Sequence, residues 1–194
     1  MNWIENLFII AGVTFDIFAT MEIQGSMIPQ IKKRNIIIAF IVVAVLENIF
    51  FFGGYAVCYL LAQNGYIATP EEYGKIIAVV ALFLLGGRLV IKAIKQEFVN
   101  ERRRDGLRVW DYIKFVIVSS IYTAVAGIVC GLVGASVFSV LAIIVVVSFV
   151  MVFGGLYTGL HYGFEKKTIA YVLGAISLWG VAAEILVHKI LMLL

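Results

Sequence analysis

Asp16, Glu47 and Arg88 place charge inside stretches that are otherwise apolar. Arg88 follows the pair Gly86 and Gly87, within the apolar run from Ile76 to Ile91. A permanent cation at that depth of a bilayer costs about 2.5–3.5 kcal/mol on insertion scales, so it must face a partner or a wet cavity. Asp16 and Glu22 bury acids in the first apolar segment, Glu47 in the second and Glu184 in the last. One buried cation among several buried carboxylates points to ion handling rather than to a plain membrane anchor.

Asp16 has Thr14 before it and Thr20 one helical turn later on the same face. A carboxylate flanked by hydroxyls offers hard oxygen ligands, which suit Mn²⁺, Mg²⁺ or a proton. The architectural alternative is an ion pair between Asp16 and Arg88 that orders the helices. Glu47 is a second expected ion ligand or proton carrier. Its neighbour Asn48 does not share its helical face, and either ligates or ties two helices together. Arg88 reads as a counter-charge that keeps an acid ionised when the site is empty. Ser119, Ser120, Tyr122 and Thr123 offer further oxygens for a cage, or helix-to-helix hydrogen bonds. Glu22 and Glu184 lie toward span ends, where they reach the interface or compensate for a missing acid.

Enzyme chemistry has little to stand on. His161 and His188 are the two imidazoles, and both lie near the ends of apolar segments. No HExxH, GxSxG or nucleotide-binding loop occurs, so neither hydrolysis nor ATP-driven pumping is expected of this chain alone. No resident cofactor is expected. Energy has to come from an ion gradient or from a partner. Cys58 and Cys130 lie in apolar runs without metal-ligand spacing.

The elements that position these groups must be membrane helices. Of the 194 residues 63% are hydrophobic and 14% are charged, too little polar surface to coat a soluble core. Six apolar segments of spanning length can be placed, at about 4–23, 36–62, 75–95, 112–133, 136–161 and 168–192. The first is the weakest, because it contains Asp16, Thr20 and Glu22. It lacks a basic leader and is expected to be retained as a span. Of the fifteen Lys and Arg, twelve fall in the connections 1–2, 3–4 and 5–6, counting Lys92 with the central loop. Lys75 and Lys189 fall on the other side. The positive-inside rule puts the twelve in the cytoplasm and both termini outside it. The run Arg102, Arg103, Arg104 is interleaved with acids, which fits lipid head groups and topology rather than nucleic acid.

The chain also divides into similar halves. A shift of 106 lays Thr14-Phe15-Asp16-Ile17 on Ser120-Ile121-Tyr122-Thr123 and Gly25 on Gly131. A slightly different shift lays Phe52-Gly53-Gly54-Tyr55 on Phe153-Gly154-Gly155-Leu156, and Gly87 falls near Gly180. Three spans per half is an odd number, so the halves enter the membrane from opposite sides. The expected fold is an all-α integral membrane protein of six transmembrane helices in two inverted three-helix repeats. It forms one domain: a first repeat over residues 1–95, a basic loop over 96–111 and a second repeat over 112–194. The first and fourth spans should face each other near the midplane, their glycines, including Gly127 and Gly131, allowing close approach.

Gly12-Val-Thr-Phe-Asp16-Ile-Phe-Ala, followed by Gly25, resembles the opening motif of the MntP family of manganese exporters. Leu84-Leu-Gly-Gly-Arg88-Leu-Val-Ile91 resembles that family's third-span Gly-Gly-Arg block, the most specific part of the likeness. Glu47 with Gly54, the loop run Arg102–Arg104 with Gly106, and Val172-Leu-Gly174 with Gly180 extend it over nearly the whole chain. The resemblance implies a six-span member of the LysE-type exporter group that expels Mn²⁺. It also implies that Asp16 and Glu47 bind or pass the ion, with Arg88 nearby. The sequence departs where the family's fourth span carries a second aspartate. Tyr122 stands there, and the charge available to a dication falls accordingly.

Three functions follow as expectations. The first is a secondary exporter of a divalent cation, proton-coupled, in the cell membrane, with the metal ion and lipid as its partners. The second is a non-transporting accessory membrane protein derived from an exporter. The third is a thiol–disulfide electron carrier, which would need cysteines in the first and fourth spans. Oligomeric state is not legible from the sequence.

Overall fold

A computed structural model of the chain describes residues 3–27, 33–63, 70–95, 109–163 and 165–191. The central basic run with Arg102–Arg104 and Gly106, and the stretch from Pro29 to Lys32, lie outside the described residues. Within them the chain forms α1 (Trp3–Ser26), α2 (Lys33–Gln63), α3 (Pro70–Lys95), α4 (Val109–Leu132), α5 (Val137–Tyr162) and α6 (Lys167–Leu191). No strand occurs among the described residues.

Continuous runs of aliphatic and aromatic residues make these helices, and a few residues end them. Pro70 opens α3, where its missing N–H is not needed. Gly134 ends α4 with φ of 74°, a left-handed conformation that costs glycine nothing. The Ala135 N–H then reaches back to the Cys130 carbonyl at 2.9 Å, closing the cap that turns the chain into α5. Gly163, with φ of 70°, does the same for α5.

Five of the helices are long and apolar enough to cross a membrane: α1, α2, α3, α5 and α6. The mean hydropathy of α1, at 1.5, is the lowest of the five, as its acids require, yet it qualifies. The shorter apolar stretch belongs instead to α4, over Val116–Leu132.

The helix with the most polar residues is also the most enclosed. Asn6, Thr14, Asp16, Glu22 and Gln24 of α1 are all buried, and α1 packs against α5, α6 and α4. The outward faces are apolar, as on α2, where Ile37, Ile41, Val45, Ile49 and Phe52 are exposed at helical spacing. In water that stripe would be a liability; against lipid it is the ordinary outer face of a span.

The glycines sit at crossings other than the expected one. Gly54 of α2 lies against the Ala124 carbonyl of α4, and Gly127 of α4 lies against the Phe51 carbonyl of α2. Gly155 and Gly159 of α5 lie against the carbonyls of Phe18 and Glu22 of α1. Each pair brings two backbones so close that a Cβ has no room. Gly174 of α6 likewise lies against the Gly12 carbonyl of α1, so the tight crossings are α2 with α4, α1 with α5 and α1 with α6, not α1 with α4. The two helices expected to meet through glycine meet through polar side chains instead.

Candidate metal site at the α1–α2–α4 junction

Helix α4 carries Ser119 and Thr123 one turn apart, about 6 Å along the axis. Each holds a buried carboxylate from a different helix. The Ser119 hydroxyl donates to Oδ2 of Asp16 on α1 at 2.6 Å. The Thr123 hydroxyl donates to Oε1 of Glu47 on α2 at 3.2 Å. Ser148 of α5 donates a second, short hydrogen bond to Oε2 of Glu47. Asp16 is 2% exposed and Glu47 is fully buried. Two acids that are 31 residues apart in the chain thus hang on consecutive turns of one helix.

The acids differ in their counter-charge. Lys92 of α3 donates to both carboxylate oxygens of Asp16, at 2.7 and 2.9 Å. The tally of loop cations counted Lys92 with the central loop, although it falls within the expected third span at 75–95; it stands on α3. α3 continues to Lys95, so Lys92 lies one turn beyond Arg88 and points into the bundle. The architectural alternative, an ion pair of Asp16 with Arg88, does not form either. Arg88 packs its guanidinium over the Tyr122 ring, 4.6 Å from the centroid, while the Lys92 ammonium lies 5.2 Å from the same ring. A cation on an aromatic face is stabilised without an ion pair. Val13, Leu85, Leu89 and Leu178 close the small cavity that Arg88, Lys92 and Tyr122 line.

The remaining candidates sort by what their polar atoms already bond. Thr14 donates to the Ile10 carbonyl at 2.7 Å, Thr20 to the Asp16 carbonyl at 2.9 Å, and Asn48 to the Ala44 carbonyl at 2.7 Å. All three serve their own helices in this arrangement. The hydroxyls of Ser120 and Tyr122 are buried with no hydrogen-bond partner among the described residues. Such groups are costly unless something else satisfies them. Glu22 lies at the far end of α1, where its Oε1 accepts the Lys166 backbone N–H at 2.8 Å. Glu184 is exposed on α6. Neither bonds to the residues of this junction. Cys58 and Cys130 are both free thiols, on α2 and α4.

Among the described residues no three His, Cys, Asp or Glu side chains cluster as a metal cage. An ion here would rest on two carboxylates and neutral oxygens from hydroxyls, a hard donor set. Lys92 and Ser148 are the site residues that the sequence reading missed. Lys92 was hidden by its place at the border of a basic loop. Ser148 had a signal: the shift that lays Gly54 on Gly155 also lays Glu47 on Ser148.

The family profile described as "Putative manganese efflux pump" matches residues 30–186, which spans α2 to most of α6. The "Putative manganese efflux pump MntP" of Clostridium perfringens strain 13 is 24% identical to this chain, covering 91% of it and 90% of the relative. The proteins of the same name from strains SM101 and ATCC 13124 match at the same 24% identity and the same coverage. No solved structure matches. Apolar helices of spanning length, acids buried between them, and a family match over most of the chain agree: this protein belongs to the MntP family of manganese efflux pumps.

Proposed function

We propose that the protein is a secondary transporter that exports Mn²⁺ from the cytoplasm in exchange for protons. The observation that carries this reading is the junction of Asp16 and Glu47 on consecutive turns of α4. A dication passing between them meets two carboxylates and hydroxyl oxygens in a low-dielectric setting. Protons arriving from the outer side would neutralise the same carboxylates and release it. The names of the relatives specify manganese as cargo, and an oxygen donor set is compatible with that ion.

An inverted repeat supplies the machinery for alternating access. The packing supports it. The crossing of α1 with α5 resembles that of α2 with α4: Gly155 abuts the Phe18 carbonyl, and Gly54 abuts the Ala124 carbonyl. The shift of 106 lays Phe18 on Ala124, and the second shift lays Gly54 on Gly155. Under that second shift Glu47 and Ser148 are counterparts, and they bond to each other. Residues beside a twofold axis meet their own counterparts in this way. In the transport cycle the two halves rock about the junction, opening it to each side in turn. Removing Lys92 from the tally of loop cations leaves the charge asymmetry intact, so the central loop stays cytoplasmic and the termini outside.

Metal accumulation in cells under manganese stress tests the proposal. Cells expressing the wild type should hold less manganese than cells expressing Asp16→Asn or Glu47→Gln at equal protein levels. Equal manganese in all three would remove both carboxylates from the mechanism.

A further inference from the structure

We infer that the Lys92 ammonium is a tethered occupant of the cation site at Asp16, and that a metal ion binds there by displacing it. The inference rests on the transport reading for the identity of the incoming ion. Lys92 bonds both oxygens of Asp16, and Ser119 bonds one of them again. The lone pairs that a dication would take are therefore engaged. The charge sum leads to the same place. Asp16 and Lys92 cancel, so a dication approaching the intact pair meets a neutral group. Withdrawing the ammonium restores a negative site.

The structure also offers the ammonium somewhere to go. Its nitrogen lies 5.2 Å from the Tyr122 ring and 5.8 Å from the Tyr171 ring. A lysine stem swings on flexible bonds, and aromatic faces hold an ammonium once its carboxylate is taken. The Ser120 and Tyr122 hydroxyls, buried on the same turns of α4 without partners among the described residues, are oxygens still open to an incoming ion. A pair that only ordered the bundle would require neither the aromatic seat nor the unpaired oxygens. Lys92 is then a specificity-determining residue: it sets a threshold that an ion must exceed to reach Asp16, and a dication exceeds it more readily than a monovalent ion.

Equilibrium binding of Mn²⁺ to the purified full chain tests this, read from the loss of the free-ion paramagnetic signal. Lys92→Met should bind Mn²⁺ at least about tenfold more tightly than the wild type. Lys92→Arg, which keeps a cation, should stay near the wild-type affinity, and Asp16→Asn with Lys92→Met should lose the gain. If Lys92→Met does not fold, Lys92→Gln is read in the same way. A Lys92→Met protein that binds no more tightly than the wild type overturns the inference, as does an equal gain in Lys92→Arg. Manganese flux by wild-type protein in liposomes separates this from the transport reading. Tighter binding by Lys92→Met with no flux in the wild type would sink transport and leave the inference standing. Normal flux with no gain in binding would do the reverse.

Discussion

Asp16 and Glu47 are held by the same helix, one turn apart, yet they are balanced in different ways. Asp16 has a lysine ammonium on both oxygens. Glu47 has two hydroxyls and no cation among its bonded partners. The difference separates two jobs that a single acid cannot do together. A carboxylate paired with a cation is already occupied. A carboxylate held by hydroxyls alone can exchange a proton or a metal without breaking an ion pair. A transport site needs one group that persists and another that changes, and this junction contains both.

The largest expected effect breaks the comparison at its charged end. Asp16→Asn leaves the Lys92 ammonium buried without its anion, a loss of about 3–5 kcal/mol by analogy with other broken buried pairs. Thermal unfolding in detergent should show a large fall in Tm. Adding Lys92→Met to that variant should restore much of it. Glu47→Gln removes the ionisable group and keeps one acceptor oxygen; one hydroxyl still donates to it and the other turns to accept from the amide N–H, so its Tm should stay close to the wild type. Equal destabilisation by Asp16→Asn and Glu47→Gln would show that the two acids are not balanced differently.

The helix crossings give a second effect of intermediate size. Gly54→Ala puts a methyl against the Ala124 carbonyl, whereas Gly53→Ala meets nothing within 4 Å. Overpacking of the first kind costs roughly 1–3 kcal/mol, and the second should be neutral or slightly stabilising. Unfolding of the two variants side by side reads the contrast directly. The smallest effect concerns the hydroxyls. Ser148→Ala removes one hydrogen bond to a buried acid and Thr123→Val removes another, each worth about 0.5–1.5 kcal/mol net. Each loss should lower Mn²⁺ flux in liposomes, and less than Glu47→Gln does.

Much of this was legible in the sequence, because a membrane interior leaves charged side chains few places to hide. Asp16, Glu47 and Arg88 stood out by their surroundings, and the structure brings the first two to neighbouring turns. Helix number and order followed from apolar length. Pairing was harder. A lysine at the end of an apolar run reads as a loop residue unless the helix is known to continue, so Lys92 was counted with Arg102 and Lys114. Arg88 then inherited a partner that Lys92 holds. The glycines were recognised as contact points, but periodicity does not say which helix a glycine faces. Thr14, Thr20 and Asn48 were chosen for their oxygens, and a sequence does not record that a side chain already bonds its own backbone. The offset between the halves held the one unused clue, since it pairs Glu47 with Ser148.

Manganese flux into liposomes holding purified wild type, Asp16→Asn or Glu47→Gln is the most direct measurement. The wild type should carry Mn²⁺, and both variants should fall at least about tenfold. The Glu47→Gln loss should occur with its unfolding temperature unchanged. A Glu47→Gln protein that carries manganese as fast as the wild type would contradict the claim that the two carboxylates form one ion path.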